Sequence, residues 1–170
     1  MKRISQRHIT RISSRYMDEE SLIHQLRYIA KKDPAVIDKF KEYGVSLNDI
    51  DQIHIEFCEL DVSAKTKDKK IYLNRTMLNN FKDIEKPAHY LVHELVHYLQ
   101  QKTGNSIKEQ FVCEEYLDKP SEEEAFKAQI DFQKRNESPE EAAEYVDELL
   151  DYHDIKGKKR KQKEKALLGD

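Results

Sequence analysis

Apolar residues recur along this chain at two different periods, and the changes of period divide it into regions. Leu22, Ile23, Leu26 and Ile29 repeat at helical spacing, with acids just after Asp18 and with Lys31 and Lys32 closing the run, as a helix dipole favours. Pro34 opens a second helix with Val36, Ile37, Phe40 and Tyr43 on its core face and Gly44 as its stop. The two predicted helices cover residues 18–43 and read as packing elements. Between residues 51 and 74 the period falls to two. Gln52-Ile53-His54-Ile55-Glu56-Phe57-Cys58 alternates polar and apolar, which predicts a half-buried strand with His54 on its surface phase. A second strand is predicted at Lys70-Ile71-Tyr72-Leu73-Asn74, and the Lys-rich stretch 63–70 reads as a mobile connection between antiparallel partners.

Helical spacing returns at residues 87–103, with Pro87 in a first-turn position and Gly104 as the stop. Leu91, Val92, Leu95, Val96 and Leu99 form one stripe, which should be buried. The other side carries His89, Tyr90, His93, Glu94, His97, Tyr98 and Gln101, where a plain solvent face would carry Lys and Glu; it reads as the floor of a cleft. Two more helices are predicted. One covers residues 121–135, started by Pro120 and by a capping box of Ser121 with Glu124. The other covers residues 138–153, with Ser138 as cap, Pro139 first, Glu141 completing a second capping box, and Ala142, Tyr145, Val146, Leu149 and Leu150 as its buried stripe. Residues 1–15 interleave Arg and Ser with Ile4, Ile9 and Ile12, as a short helix or a loose arm. The expected fold class is α+β, mostly helical, with a small antiparallel or mixed sheet before the helix at 87–103. One domain would span residues 1–155, followed by a basic, disordered tail at 156–170.

Composition changes this picture only at the margins. Of 170 residues 37% are charged, yet the net charge is −3, so no global field selects nucleic acid or a membrane as partner. Two cysteines, Cys58 and Cys113, make neither a disulfide framework nor a paired metal motif, which points to a reducing, cytoplasmic setting. The basic start has no apolar run, so neither a signal peptide nor a membrane span is expected there. The basic run at 156–165 opposes an acidic half that begins near Glu109, so the two could attract each other; the tail reads first as solubilising the chain, with a nucleic-acid or partner-docking arm as the alternative.

The chemistry concentrates in His93-Glu94-Leu95-Val96-His97. On a helix this H-E-x-x-H pattern sets two imidazoles one turn apart on one face, where both can bind one Zn²⁺, with a carboxylate beside the metal's open position. Zinc acidifies a bound water, and Glu94 stands where it can take the proton as that water attacks a carbonyl. His89 and His93 make a rival pair at the same spacing, but Tyr90 occupies the place of the base. For a third ligand, the longer metzincin pattern is excluded, because Gln100 and Thr103 stand where it needs Gly and His. Helical phase sorts the next candidates. Glu122 lies with Ala125, Phe126, Gln129, Ile130 and Phe132 on the packed side, whereas Glu123 and Glu124 lie with Lys127, Asp131 and Lys134 toward solvent. A carboxylate entering a packed face is costly unless paired or metal-bound, which favours Glu122; the alternative is that its charge serves only the helix N-terminus.

These residues together, with Tyr116 and Pro120-Ser121-Glu122-Glu123-Glu124-Ala125, resemble the gluzincin branch of zinc metallopeptidases. The likeness is nearest to small single-domain peptidases of bacteria, phages and mobile elements, including the ImmA/IrrE-like group, and it covers residues 69–135. The resemblance implies a zincin-like domain with His93, His97 and Glu122 as zinc ligands and Glu94 as catalytic base and proton shuttle. It also implies a peptide or protein substrate aligned along an edge strand, here 70–74. An oxyanion-stabilising Tyr or His would be Tyr116, with Tyr90 and His153 as further candidates. Related membrane enzymes carry Asp four residues after the ligand Glu; Phe126 stands there in this chain. Two other classes remain open: a zinc-stabilised interaction module without catalysis, and a nucleic-acid-associated protein working through its basic termini.

Overall fold

The computed structural model describes residues 18–79, 84–104 and 116–169, so the expectations for residues 1–15, Glu109 and Cys113 lie outside the described residues. The described chain is mostly helical with one small sheet, as the α+β reading expects. In order it forms α1 (Glu19–Lys32), α2 (Pro34–Glu42), β1 (Ile55–Cys58), β2 (Ala64–Lys67), β3 (Lys70–Asn74), α3 (Glu85–Thr103), α4 (Pro120–Asn136), α5 (Pro139–Tyr152) and α6 (Gly157–Leu168). Short 3₁₀ turns lie at Leu47–Asp51, Arg75–Asn79 and Tyr116–Asp118.

The helix ends follow ordinary capping chemistry. Asp18 accepts the Ser21 N–H at 2.7 Å, and Ser138 accepts the Glu141 N–H at 3.0 Å. Asp33 joins α1 to α2 by accepting the Ala35 N–H at 2.9 Å, and it is only 4% exposed. Burial of that carboxylate is matched by Arg135 at 2.8 Å and Asn136 at 3.2 Å, which tie the α1–α2 corner to the end of α4. Gly104 ends α3 in the left-handed conformation, at φ +66°.

The sheet differs from the expected hairpin of two strands. Its order is β1-β3-β2, with β1 parallel and β2 antiparallel to β3. Lys70–Asn74 is therefore the central strand and not an edge; the edge beside it is β2, inside the stretch that reads as a mobile connection. That strand is easily overlooked, because its four residues, Ala-Lys-Thr-Lys, carry their alternation in half-buried Ala64 and Thr66 against exposed lysines. Asp68 and Lys69 turn the chain into β3 with φ of +51° and +60°, the conformation a two-residue hairpin requires.

Helix α3 is the axis of the fold. Its apolar stripe is buried as expected, but His89, His93, Glu94 and Tyr98 on the other side are buried as well. The polar side is no open floor, since α4 lies over it in the most extensive helix contact of the described chain and β2 also packs on α3. Helix α4 in turn separates two cores. Ala125, Ala128 and Phe132 join α1, α2, α3 and the sheet, while Phe126 and Ile130 join Leu117, Ala142, Val146, Leu150, Ile155 and Leu167.

This two-sided burial corrects the expectations for Glu124. Helix α4 begins at Pro120 with Lys119 as its N-cap and no side-chain capping bond. Glu124 lies one turn before buried Ala128 and points inward, accepting Lys39, Tyr43 and Gln100, each at 2.8 Å. Glu123 does pair outward, with Lys127 at 3.0 Å.

The basic tail is also ordered, as α6. Lys163 reaches Asp118 at 2.6 Å, Lys159 reaches it at 3.0 Å, and Arg160 pairs with Asp151 at 2.7 Å and with Asp147. Leu167 closes the second core at 5% exposure. Charge composition alone favours disorder; the run folds because it meets carboxylates of the acidic half and ends in Ala-Leu-Leu, the attraction the sequence allows. Among the described residues no helix is long and apolar enough to cross a membrane. Leu167→Ala is expected to lower the urea-unfolding free energy by about 2 kcal/mol, whereas Lys161→Ala, exposed on the same helix, changes it by less than about 0.5 kcal/mol. Equal effects would mean that α6 is not packed.

Candidate metal centre

One turn of α3 carries the His93 and His97 rings to the same side, and the first turn of α4 supplies Glu122 opposite them. The two Nε2 atoms are 3.1 Å apart, and Glu122 Oε2 lies 3.1 Å from His93 Nε2 and 3.2 Å from His97 Nε2. Their side chains are 6%, 16% and 13% exposed in the order His93, His97, Glu122. Among the described residues these three form the group that could hold a metal ion. The triangle suits one: donors around a tetrahedral ion with bonds of about 2.0–2.1 Å stand about 3.3 Å apart. Two imidazole nitrogens and one carboxylate oxygen also leave a fourth position free.

The electrostatics of the metal-free cluster reflect the same convergence. Burial works to lower the pKa of His97, but the hydrogen bond and charge of Glu122, with smaller contributions from Glu94 and Gln100, carry it up to about 9. Burial would raise Glu122, yet its bonds to His93 and His97 and their charges hold it well below the usual carboxylate range. The His97 imidazole and the partly buried Glu122 carboxylate thus each favour the other's charged form.

The surroundings of the triangle are asymmetric. His97 Nδ1 lies 2.8 Å from Gln100 Oε1. His93 instead packs its ring edgewise on Phe126, with centroids 4.5 Å apart, and its buried Nδ1 has no hydrogen-bond partner among the described residues. Glu94 is 5% exposed, and the Thr66 hydroxyl from β2 donates to its Oε2 at 2.7 Å. The rival histidine pair is separated by its partners, since His89 Nδ1 lies 2.8 Å from Glu137 Oε1, away from the triangle.

Among Tyr116, Tyr90 and His153, the Tyr116 hydroxyl is the one on which Glu122 is seen to act. Its pKa is pushed up by burial of the hydroxyl, then by the charge of Glu122 and a hydrogen bond to it, with Glu94 adding. As a whole the residue is 42% exposed, and His153 stacks on its ring at 5.5 Å rather than facing the triangle. Tyr90 packs with His89 and Tyr145. Tyr145, which sequence phase assigns only to a buried stripe, also feels the cluster: burial raises its pKa first, then Tyr90, with Glu122 contributing. Thr66, Gln100 and Glu124 are further residues at the site that local reasoning passes over. Gln100 sits three residues past the second histidine, and that spacing is the one signal that could have marked it.

No family model, curated protein or solved structure matches the chain. The chemistry of the site therefore rests on its own geometry.

Two outcomes follow from that geometry. Because His97 rises from 6.5 to about 9 on folding, its stabilising contribution to the metal-free protein is complete below pH 6.5 and is lost as pH rises through 9. Glu122, depressed on folding, contributes above its ordinary value of 4.5 and loses that contribution as pH falls below it. Chelator-treated protein should accordingly lose thermal stability between pH 7 and 9.5 more steeply than His97→Gln, and parallel curves would refute the assignment. Thr66→Val leaves the buried Glu94 carboxylate without its donor and is expected to cost about 1–3 kcal/mol in denaturant unfolding; a neutral effect would mean the bond does not hold Glu94.

Proposed function

We propose that this protein is a zinc metallopeptidase of zincin-like fold, hydrolysing a peptide bond in a cytoplasmic protein or peptide. The observation that carries this reading is the convergence of both histidines of one H-E-x-x-H turn on a carboxylate from a later helix, with the motif's own Glu94 left outside the triangle. His93, His97 and Glu122 would hold the zinc, which polarises a carbonyl and makes water a competent nucleophile at neutral pH. Glu94 takes the proton from the attacking water and returns it to the departing amine. Thr66 occupies Oε2 of that carboxylate, which orients it and leaves Oε1 for proton transfer. Tyr116, whose hydroxyl interacts with Glu122, is the residue assigned to donate a hydrogen bond to charge developing on the carbonyl oxygen.

An extended substrate would add to β2, whose outer edge pairs with no other strand among the described residues and whose Thr66 touches the proposed base. Glu94 also weighs against a purely structural metal site, which needs ligands and no base. The reading of the tail as a nucleic-acid arm loses support, since Lys159, Arg160 and Lys163 are already paired with Asp118, Asp147 and Asp151.

The test combines elemental analysis with a mixed peptide library read by mass spectrometry. Wild type is expected to carry one zinc and cleave; Glu94→Gln keeps the zinc and loses activity at least about 10²-fold; His97→Ala and Glu122→Ala lose both. A wild type that takes up no zinc, or an active Glu94→Gln, would overturn the proposal.

A further inference from the structure

The metal triangle is held by a chain of hydrogen bonds whose direction can be worked out from its far end. Gln100 is 3% exposed, and its amide group has two ends that only their neighbours distinguish. One end lies 2.8 Å from Glu124 Oε2 and 3.2 Å from the Ser121 carbonyl. The carbonyl can only accept. Glu124 likewise accepts, since it already takes the Lys39 ammonium and the Tyr43 hydroxyl at 2.8 Å each. That end of Gln100 must therefore be the NH₂ group, and the oxygen must face His97 Nδ1, 2.8 Å away. An oxygen there demands a hydrogen on Nδ1. In the neutral imidazole the lone pair then sits on Nε2, the atom that meets His93 and Glu122.

We infer that Gln100 is the positioning residue of this centre: it selects the His97 tautomer and ring orientation that present Nε2 to a metal, and Glu124 locks Gln100 in that sense by anchoring it to α2. The inference rests on the metallopeptidase reading and adds to it a residue outside the H-E-x-x-H turn. His93 provides the contrast, because Phe126 packs on that ring and its Nδ1 has no hydrogen-bond partner among the described residues. The two imidazoles are thus set by different means, and the polar chain acts on one of them alone. Losing such an outer partner typically weakens metal binding by about 10–100-fold.

A rival account is that Gln100 only bridges α3 to α4. The two are separated by swapping groups in the full-length chain. Gln100→Leu keeps the bulk but offers no acceptor. The double variant Gln100→Glu with Glu124→Gln moves the carboxylate next to the imidazole and the amide beside Lys39 and Tyr43, so an acceptor for Nδ1–H returns. Zinc affinity is measured by competition with a chromophoric chelator, and the visible spectrum of the cobalt-substituted protein reports ligand geometry. Gln100→Leu is expected to bind zinc about 10–100-fold more weakly with an altered cobalt spectrum, and the double variant to recover most of that loss. Wild-type affinity in Gln100→Leu, or a folded double variant as weak as Gln100→Leu, would overturn the inference.

If Gln100→Leu does not fold, the wild type itself decides. Two-bond ¹⁵N–¹H spectra of the zinc-loaded protein should show the His97 proton on Nδ1; a proton on Nε2 would overturn the inference. Failure of the underlying reading has its own signature: a wild type that binds zinc no better than His97→Ala removes both. Zinc binding that depends on His97 but not on Gln100 removes this inference alone.

Discussion

Three ionisable side chains packed against one another where α3 meets α4, His93 buried and His97 and Glu122 mostly so, are the constraint on which the rest of this structure depends. Placing a carboxylate and two imidazoles out of water is unfavourable unless they meet compensating charge, and here the compensation must come from within the cluster. The His97 imidazole and the Glu122 carboxylate supply it by each favouring the other's charged form, and a divalent cation would supply it more completely. The geometry tolerates little displacement, because the three donor atoms stand within 3.2 Å of one another. Two helices whose closest contact crosses this point must therefore be held in fixed register.

Several otherwise unrelated features maintain that register. Helix α3 is buried along both its apolar stripe and its polar side, with the sheet, α1 and α2 behind it and α4 in front. Helix α4 is gripped at both ends: Glu124 binds Lys39, Tyr43 and Gln100 near its start, and Arg135 and Asn136 bind Asp33 near its finish. Phe126 and Ile130 anchor its outer side in the second core, which α5 and α6 complete. Thr66 brings β2 to Glu94 from the sheet side. Each of these contacts joins segments distant in sequence, so the centre is built by tertiary packing even though two of its three donors lie on a single helical turn.

That division explains how much the sequence disclosed. His93, Glu94 and His97 were legible because their spacing is local, and Glu122 because helical phase set it against Phe126 and Ile130. Glu124 escapes a one-sided helical phase because α4 is buried on two sides. The strand order was hidden because four residues with two lysines carry too weak an alternation to mark β2, and period alone does not distinguish a central from an edge strand. The order of the tail is not legible in composition, which weighs its charges against solvent, whereas Asp118, Asp147 and Asp151 are what those charges meet. Of the two expected capping boxes, Ser138 caps its helix through the Glu141 N–H, whereas Ser121 does not cap α4, which starts at Pro120 after Lys119.

The most direct test of the proposed zinc centre is crystallographic. Crystals of the protein grown with zinc would be measured on both sides of the zinc absorption edge, so that the anomalous difference locates the ion without assumption. One peak is expected, bonded to His93 Nε2, His97 Nε2 and a Glu122 oxygen at about 2.0–2.2 Å, with Glu94 outside the bonded set. A zinc-loaded crystal with no peak there, or with its peak on other residues such as His89 and Glu137, would contradict it.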